Sequence, residues 1–313
     1  MKAFLLGIIG SFFFAFTFIL NRNMNLGGGY WMYSAVLRYV FTLPILFLVL
    51  LKGKKYRAVL EDIRKKPRQW LIWSTVGFGF FYLPLPAASL YAESWFTCAM
   101  WQVTIVAGIL LTPLFGQKIP KKNLACSFLI LIGIAVMQIP KMMTEMQMSE
   151  ITLTKNSGFE GGMLKAFLLI LFGAFSYPLG NRKTMAFCDK ELTTLQRIFG
   201  MTLCSMPFWI LFGIVAFVKT GLPQGSQCVQ SLATALFSGV IATAFFFKAT
   251  DMVRKDYRAL AVVEATQCGE VIFTLLLGVL VLKDAPPTVS GWIGIGIIVV
   301  GMILTSLIRG EAE

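Results

Sequence analysis

The sequence predicts an all-α integral membrane protein, built from ten transmembrane helices arranged as two inverted five-helix repeats. Three observations point there: the composition, ten long apolar runs, and a likeness between the two halves whose flanking charges are reversed. The chain has 313 residues, of which 57% are hydrophobic and only 14% charged, with a mean hydropathy of +0.75. Soluble domains carry about 25% charged and about 45–50% apolar residues. One soluble core of this length cannot hide so much apolar surface, so lipid is the solvent for most of the chain.

Counts of reactive side chains narrow the chemistry. The chain has no histidine, which excludes histidine bases, Ser–His and Cys–His nucleophile pairs, and most zinc and haem sites. Cys98, Cys126, Cys188, Cys204, Cys228 and Cys268 are scattered without C-x-x-C or metal spacing, as small packing residues are. No glycine-rich phosphate loop follows a strand, which argues against ATP-driven chemistry by this chain. No enzyme, catalytic residue, cofactor or metal is expected. The formal charge of +13 sits in short loops beside apolar runs, which is the membrane pattern, so no nucleic-acid partner is expected.

A bilayer-spanning helix needs about 20 apolar residues. Ten runs qualify: roughly 3–20, 30–51, 70–90, 95–115, 122–139, 162–180, 194–218, 228–248, 258–282 and 290–308. The first opens like a signal peptide but meets Asn21-Arg22-Asn23 with no small-residue cleavage site, and is read as a retained helix. The longest connections are the basic 52–69 and the polar 140–161. Basic residues flanking the runs divide twenty to six if the N-terminus is inside, which predicts cytoplasmic termini and a multi-pass protein of the plasma membrane. Trp31, Trp95 and Trp292 near one boundary, and Trp70 and Trp73 near the other, suit interfacial belts.

The halves resemble each other. Lys2-Ala3-Phe4-Leu5-Leu6 reappears as Lys165-Ala166-Phe167-Leu168-Leu169, Gly10 matches Gly173, Asn21-Arg22 matches Asn181-Arg182, and Gly133 stands opposite Gly301. Two five-span repeats, 1–139 and 162–313, joined by a polar linker at 140–161, follow. An odd number of spans forces opposite insertion. The connection after the second span carries eight basic residues where its partner carries Lys219 alone, as reversed topology requires. Such repeats place a substrate site near the midplane at their interface, with alternating access by rocking.

The five-plus-five pattern with both ends inside resembles the drug/metabolite transporter superfamily, in its ten-helix exporters and most closely the multidrug resistance efflux transporters. Glu270-Val271, Leu276-Leu277-Gly278 and Leu282-Lys283-Asp284 resemble that family's ninth helix, and Ser290-Gly291-Trp292-Ile293-Gly294 its tenth. The family commonly has Glu-Pro at the first position and Leu-Gly-Glu at the third; Phe115-Gly116-Gln117 replaces the latter in the first half. The resemblance implies export of a small organic solute, and it implies no cofactor.

Charges within spans are costly and functional by default. Glu270 lies near the middle of 258–282, where desolvation opposes its charge and suits it to exchange protons or hold a cation. Glu264 and Gln267 share a broad polar face with it at about 100° per residue. Gln102 aligns within a residue of Glu270 between the halves. Trp101, Phe96 and Phe273 could stack on a cation or ring. Arg38 lies about 12 Å into its span, deep enough for a gate ion pair or an anion site, with snorkelling to headgroups the plainer alternative. Arg197 suits snorkelling better, and Lys248 with Asp251 a local pair. Pro84, Pro86 and Pro178 free backbone carbonyls, Asn21-Arg22 and Asn181-Arg182 are expected to end their helices, and Gly291, Gly294, Gly296 and Gly301 suit close packing. The expectation is a proton-coupled secondary exporter whose partners are a small solute, membrane lipids and protons. A non-transporting receptor or scaffold of the same fold is the competing reading. Glu270 favours an organic cation or a neutral solute, and Arg38 an anion such as a phosphorylated metabolite or an amino acid's carboxylate.

Overall fold

The computed structural model describes residues 1–116, 118–119, 121–151, 162–189, 191–253, 262–263 and 265–309, and these form helices and short connections with no strand. In chain order the helices are α1 (Lys2–Leu26), α2 (Trp31–Leu51), α3 (Tyr56–Lys65), α4 (Pro67–Ala88), α5 (Ser94–Leu110), α6 (Lys121–Ile151), α7 (Gly162–Phe187), α8 (Thr194–Thr220), α9 (Gly225–Thr250), α10 (Cys268–Leu282) and α11 (Val289–Arg309). Six of them, α1, α2, α4, α7, α8 and α9, are long and apolar enough to cross a membrane; α5, α10 and the Val289–Thr305 part of α11 are shorter apolar helices. Rows of exposed Leu, Ile, Val and Phe along their outer faces are what a lipid environment permits. This is a multi-pass membrane protein.

Helix contacts follow small residues. α6 packs along α11, and a Cβ on Gly133 would lie 2.6 Å from the Gly294 carbonyl oxygen. Of the four C-terminal glycines, Gly291, Gly294 and Gly301 face neighbours, whereas Gly296 faces open space. α1 packs on α9 and α10, α7 on α4 and α5, and α2 on α8. Both α4 and α9 widen into a π-helical turn, at Thr75–Phe80 and Ala235–Ile241. In the first of these Gly77 lies against Gly180 of α7 with no room for a side chain on either. α8 starts on a capping box, Thr193 with Gln196, a local sequence signature of a helix start.

Several boundaries depart from the sequence reading. α1 runs through Asn21-Arg22-Asn23 to Leu26, and α7 runs through Asn181-Arg182 to Phe187, so neither polar pair ends its helix. In α1 the polar side chains have partners inside the protein: the Asn21 amide donates to the Tyr82 hydroxyl at 3.1 Å and Arg22 Nη1 donates to the Ser89 carbonyl at 2.9 Å. The basic connection 52–69 folds into α3 because Val59 and Ile63 recur on one face, and α6 extends to Ile151. Trp70 and Trp95 are buried, not belt residues; each indole N–H donates inward at 3.0 Å, to Asp62 Oδ2 and the Ala285 carbonyl. All six cysteines are free thiols, with Cys98 and Cys188 buried.

The Gly77–Gly180 approach is backbone against backbone, so relief requires moving a helix. Gly180→Val should cost about 1–3 kcal/mol, the usual range for overpacking, read as a lowered unfolding temperature in detergent, while Gly296→Val should be neutral.

Candidate functional site

Three-residue turns interrupt the ladder at two places, near Gln102 and near Gln267. α5 consists of Ser94–Trp101 and Val103–Leu110, hinged at Gln102. The Gln102 N–H bonds the Ala99 carbonyl at 3.2 Å, and its own carbonyl accepts from the Ile105 N–H at 3.0 Å, three-residue turns in place of the four-residue ladder. α10 opens on the same device: Thr266 N–H to the Val263 carbonyl at 3.1 Å, Gly269 to Thr266 at 2.9 Å, and Glu270 to Gln267 at 2.9 Å. Ser11 of α1 supplies the Thr266 carbonyl with a hydroxyl at 2.6 Å. Pro178 has no N–H to give the Ala174 carbonyl four residues back, and Thr104 of α5 donates to that oxygen at 3.1 Å. Irregular backbone at membrane depth persists only where the protein or a cavity satisfies it.

Glu270 stands on the first turn of α10. The Gln102 side chain and the Arg38 guanidinium both lie close enough to act on the charge of its carboxylate. Cys98 and Tyr177 lie within reach of the same charge. Gln102 is buried and its amide also donates to the Cys98 carbonyl at 3.2 Å. Arg38 is held over the Tyr82 ring, 4.1 Å from the centroid, and donates to Thr17 Oγ1 at 3.3 Å. It therefore points into the bundle and does not snorkel. Next to it Tyr39 stacks on Trp209, with centroids 4.5 Å apart. Trp101, Phe81 and Tyr177 form a three-ring group, Phe81 lying 5.2 Å from Trp101 and 4.9 Å from Tyr177.

The structure thus brings Glu270, Gln102 and Arg38 together, with Trp101 one ring removed through Tyr177. Gln267 is half-buried and forms the turn that starts α10. Glu264 lies outside the described residues, as does the Asp251 side chain. Phe96 is part of the core, packed edge-on against Trp95. Phe273 meets Phe12 edge-on at 5.4 Å. Arg197 donates to Thr194 Oγ1 of its own helix at 3.3 Å. Tyr82, Tyr177 and Asn21 were missed. Their only signal was a polar tip within an apolar run.

A second polar cluster closes one end of the bundle. Asp284 Oδ2 accepts from the Ser94 backbone N–H at 2.9 Å and from the Ser94 hydroxyl. Its other oxygen faces Arg22 Nε at 3.7 Å. Asn25 donates to the Pro86 carbonyl at 2.8 Å and to Ser89 Oγ at 2.7 Å, and Asn23 donates to Gln230 Oε1 at 2.7 Å.

A polytopic membrane protein with an ionisable group inside its bundle is the class these features define. Comparison with known proteins assigns the family. Residues 1–311 match the family model described as "EmrE: Putative multidrug resistance efflux transporter". The chain is 43% identical to the uncharacterized protein YjlA of Bacillus subtilis over 97% of its own length and 94% of that protein's. It is 39% identical to an uncharacterized 42.1 kDa protein of Shouchella clausii, over 86% of this chain and 70% of that one. A solved chain described only as "Crystal structure of protein" shares the fold at a TM-score of 0.63 and 13% identity, covering 99% and 98% of the two chains. This protein belongs to the EmrE-like family of multidrug resistance efflux transporters, within the drug/metabolite transporter superfamily, a family of transporters and not of enzymes.

The Asp284 cluster is buried and charge-assisted. Asp284→Asn should lower stability by about 1–3 kcal/mol, as losing a buried partner does, and Arg22→Gln added to it should cost little more. A double-mutant cycle of unfolding temperatures in detergent measures the coupling.

Proposed function

We propose that this protein is a secondary active transporter that exports a small organic molecule across the plasma membrane by alternating access, coupled to proton entry at Glu270. The observation that carries this reading is the placement of Gln102 and Glu270 at the three-residue turns of α5 and α10, with Arg38 close enough to act on the Glu270 charge. Broken helices at the interface of inverted repeats are where transporters bind. In this reading the substrate and proton site is Glu270, Gln102, Gln267, Glu264, Arg38 and Trp101.

The packing supports the division into repeats at 1–139 and 162–313, with ten spans and both termini cytoplasmic. Exchanging the halves turns the α1–α9 and α1–α10 contacts into α7–α4 and α7–α5, and all four occur; the α2–α8 and α6–α11 contacts map onto themselves. Gly10 meets α9 at Phe246, and its counterpart Gly173 meets α4 at Phe81. The Arg22–Asp284 cluster suits a carrier closed at that end.

Chemically, a carboxylate that loses its proton in this setting regains a counter-charge from Arg38. Substrate and proton then compete for one group, which is sufficient for exchange. Arg38 also favours a second reading, in which an anionic or zwitterionic solute such as an amino acid places its carboxylate on the guanidinium.

Proteoliposomes under an imposed pH gradient test both. Quaternary amines, amino acids, nucleosides and phosphorylated metabolites are offered to the wild type, Glu270→Gln and Arg38→Gln. Gradient-driven flux that falls to the protein-free level in Glu270→Gln, with unfolding temperature retained, is the expected result. Loss only in Arg38→Gln, for anionic solutes, would favour the second reading. Saturable binding with no flux for any bound solute would overturn both and leave a receptor.

A further inference from the structure

The segment 52–69 carries eight basic residues against two acids, Glu61 and Asp62, and its structure is more organised than a solvated charge run requires. α3 lies across the end of α2, α4 and α8. Val59 is fully buried there beside Trp70, Leu50 and Phe199. Asp62 is buried, accepts the Trp70 indole N–H at 3.0 Å, and lies 3.7 Å from the Lys66 ammonium. Its Oδ2 also accepts the Asp189 N–H at 3.4 Å. Lys66 donates to the Phe187 carbonyl at 2.5 Å, and the Gln196 amide donates to the Lys55 carbonyl at 2.7 Å. The segment is thus fastened to the end of α7 and the start of α8 as well as to α2 and α4.

Seven of the eight basic side chains are left exposed on this fixed support. At about 100° per residue, Arg57, Arg64 and Lys65 share the face opposite Val59 and Ile63. Lys52 directly follows exposed Phe47, Leu48, Val49 and Leu51, and Arg68 stands one turn before exposed Leu71 and Ile72. Basic side chains therefore flank apolar surface of the kind that meets acyl chains, at the depth of lipid headgroups.

From this arrangement we infer that the α3 segment is a binding surface for anionic phospholipid headgroups, engaged chiefly by Lys52, Lys54, Lys55 and Arg68. A juxtamembrane basic cluster is drawn to an anionic surface, and here Lys52, Lys54, Lys55 and Arg68 flank the two ends of a docked helix. The surface spans the α2–α4 and α7–α8 connections, so lipid bound to it bears on four helices at once.

The test uses the whole protein in nanodiscs of phosphatidylcholine alone or with about 30% phosphatidylglycerol, a strongly anionic surface. Phosphatidylglycerol should raise the wild-type unfolding temperature and slow hydrogen exchange across 52–68. Neutralising Lys52, Lys54, Lys55 and Arg68 to Gln should cut the phosphatidylglycerol retained in native mass spectrometry by about tenfold or more and abolish both shifts. Replacing the three lysines by Arg should preserve them. Equal shifts in the wild type and the neutralised protein would overturn the inference, as would equal loss on neutralising Lys118, Lys121 and Lys122 instead. Reproduction of the wild-type shifts by soluble glycerol phosphate in phosphatidylcholine would assign the surface to a free phosphate ligand and overturn it too.

Discussion

Hydrocarbon offers no hydrogen-bond partner, so every polar group within the bundle must find one in the protein. That constraint explains features that otherwise look unrelated. Pro178 orphans the Ala174 carbonyl and Thr104 answers it from another helix. The turn before α10 exposes the Thr266 carbonyl and Ser11 answers it from α1. Asn25 takes the Pro86 carbonyl, and Trp70 and Trp95 turn their N–H groups inward. Each irregularity is tied to a neighbouring helix by the bond that tolerates it.

The same constraint shapes the candidate site. A lone carboxylate at Glu270 would be too costly at this depth. Gln102 and the Arg38 guanidinium act on its charge, and Arg38 is itself anchored by the Tyr82 ring and Thr17. Tyr82 is bonded to Asn21, whose neighbour Arg22 faces Asp284. Polar contacts therefore reach from the central carboxylate to Asn21, and from the next residue, Arg22, to the bonded end of the bundle.

Close helix approach is the other organising element. Gly77 with Gly180, and Gly133 with Gly294, let backbones meet where any side chain would intrude. Without a hydrophobic driving force between helices in lipid, such contacts carry association. The helices joined this way, α4 with α7 and α6 with α11, include the pairs that relate the two halves of the chain.

Composition and apolar run length alone determined that this chain lies in a membrane as a set of helices, because transfer of that much apolar surface is additive and needs no tertiary information. Glu270 was equally visible as a charge in a long apolar run, which has few explanations. The partners of that charge were decided only by the tertiary structure. Tyr82 and Tyr177 read as ordinary aromatic residues until packing brings α4 against α2 and α7 against α5. Helix ends were misread at Asn21-Arg22 and Asn181-Arg182, and a helix was missed at Tyr56–Lys65. In the first of these, polarity signalled water where the fold supplies Tyr82 and Ser89; in the last, charge hid the buried face of Val59. Local sequence reports how costly a group is to bury, and only the fold reports who shares that cost.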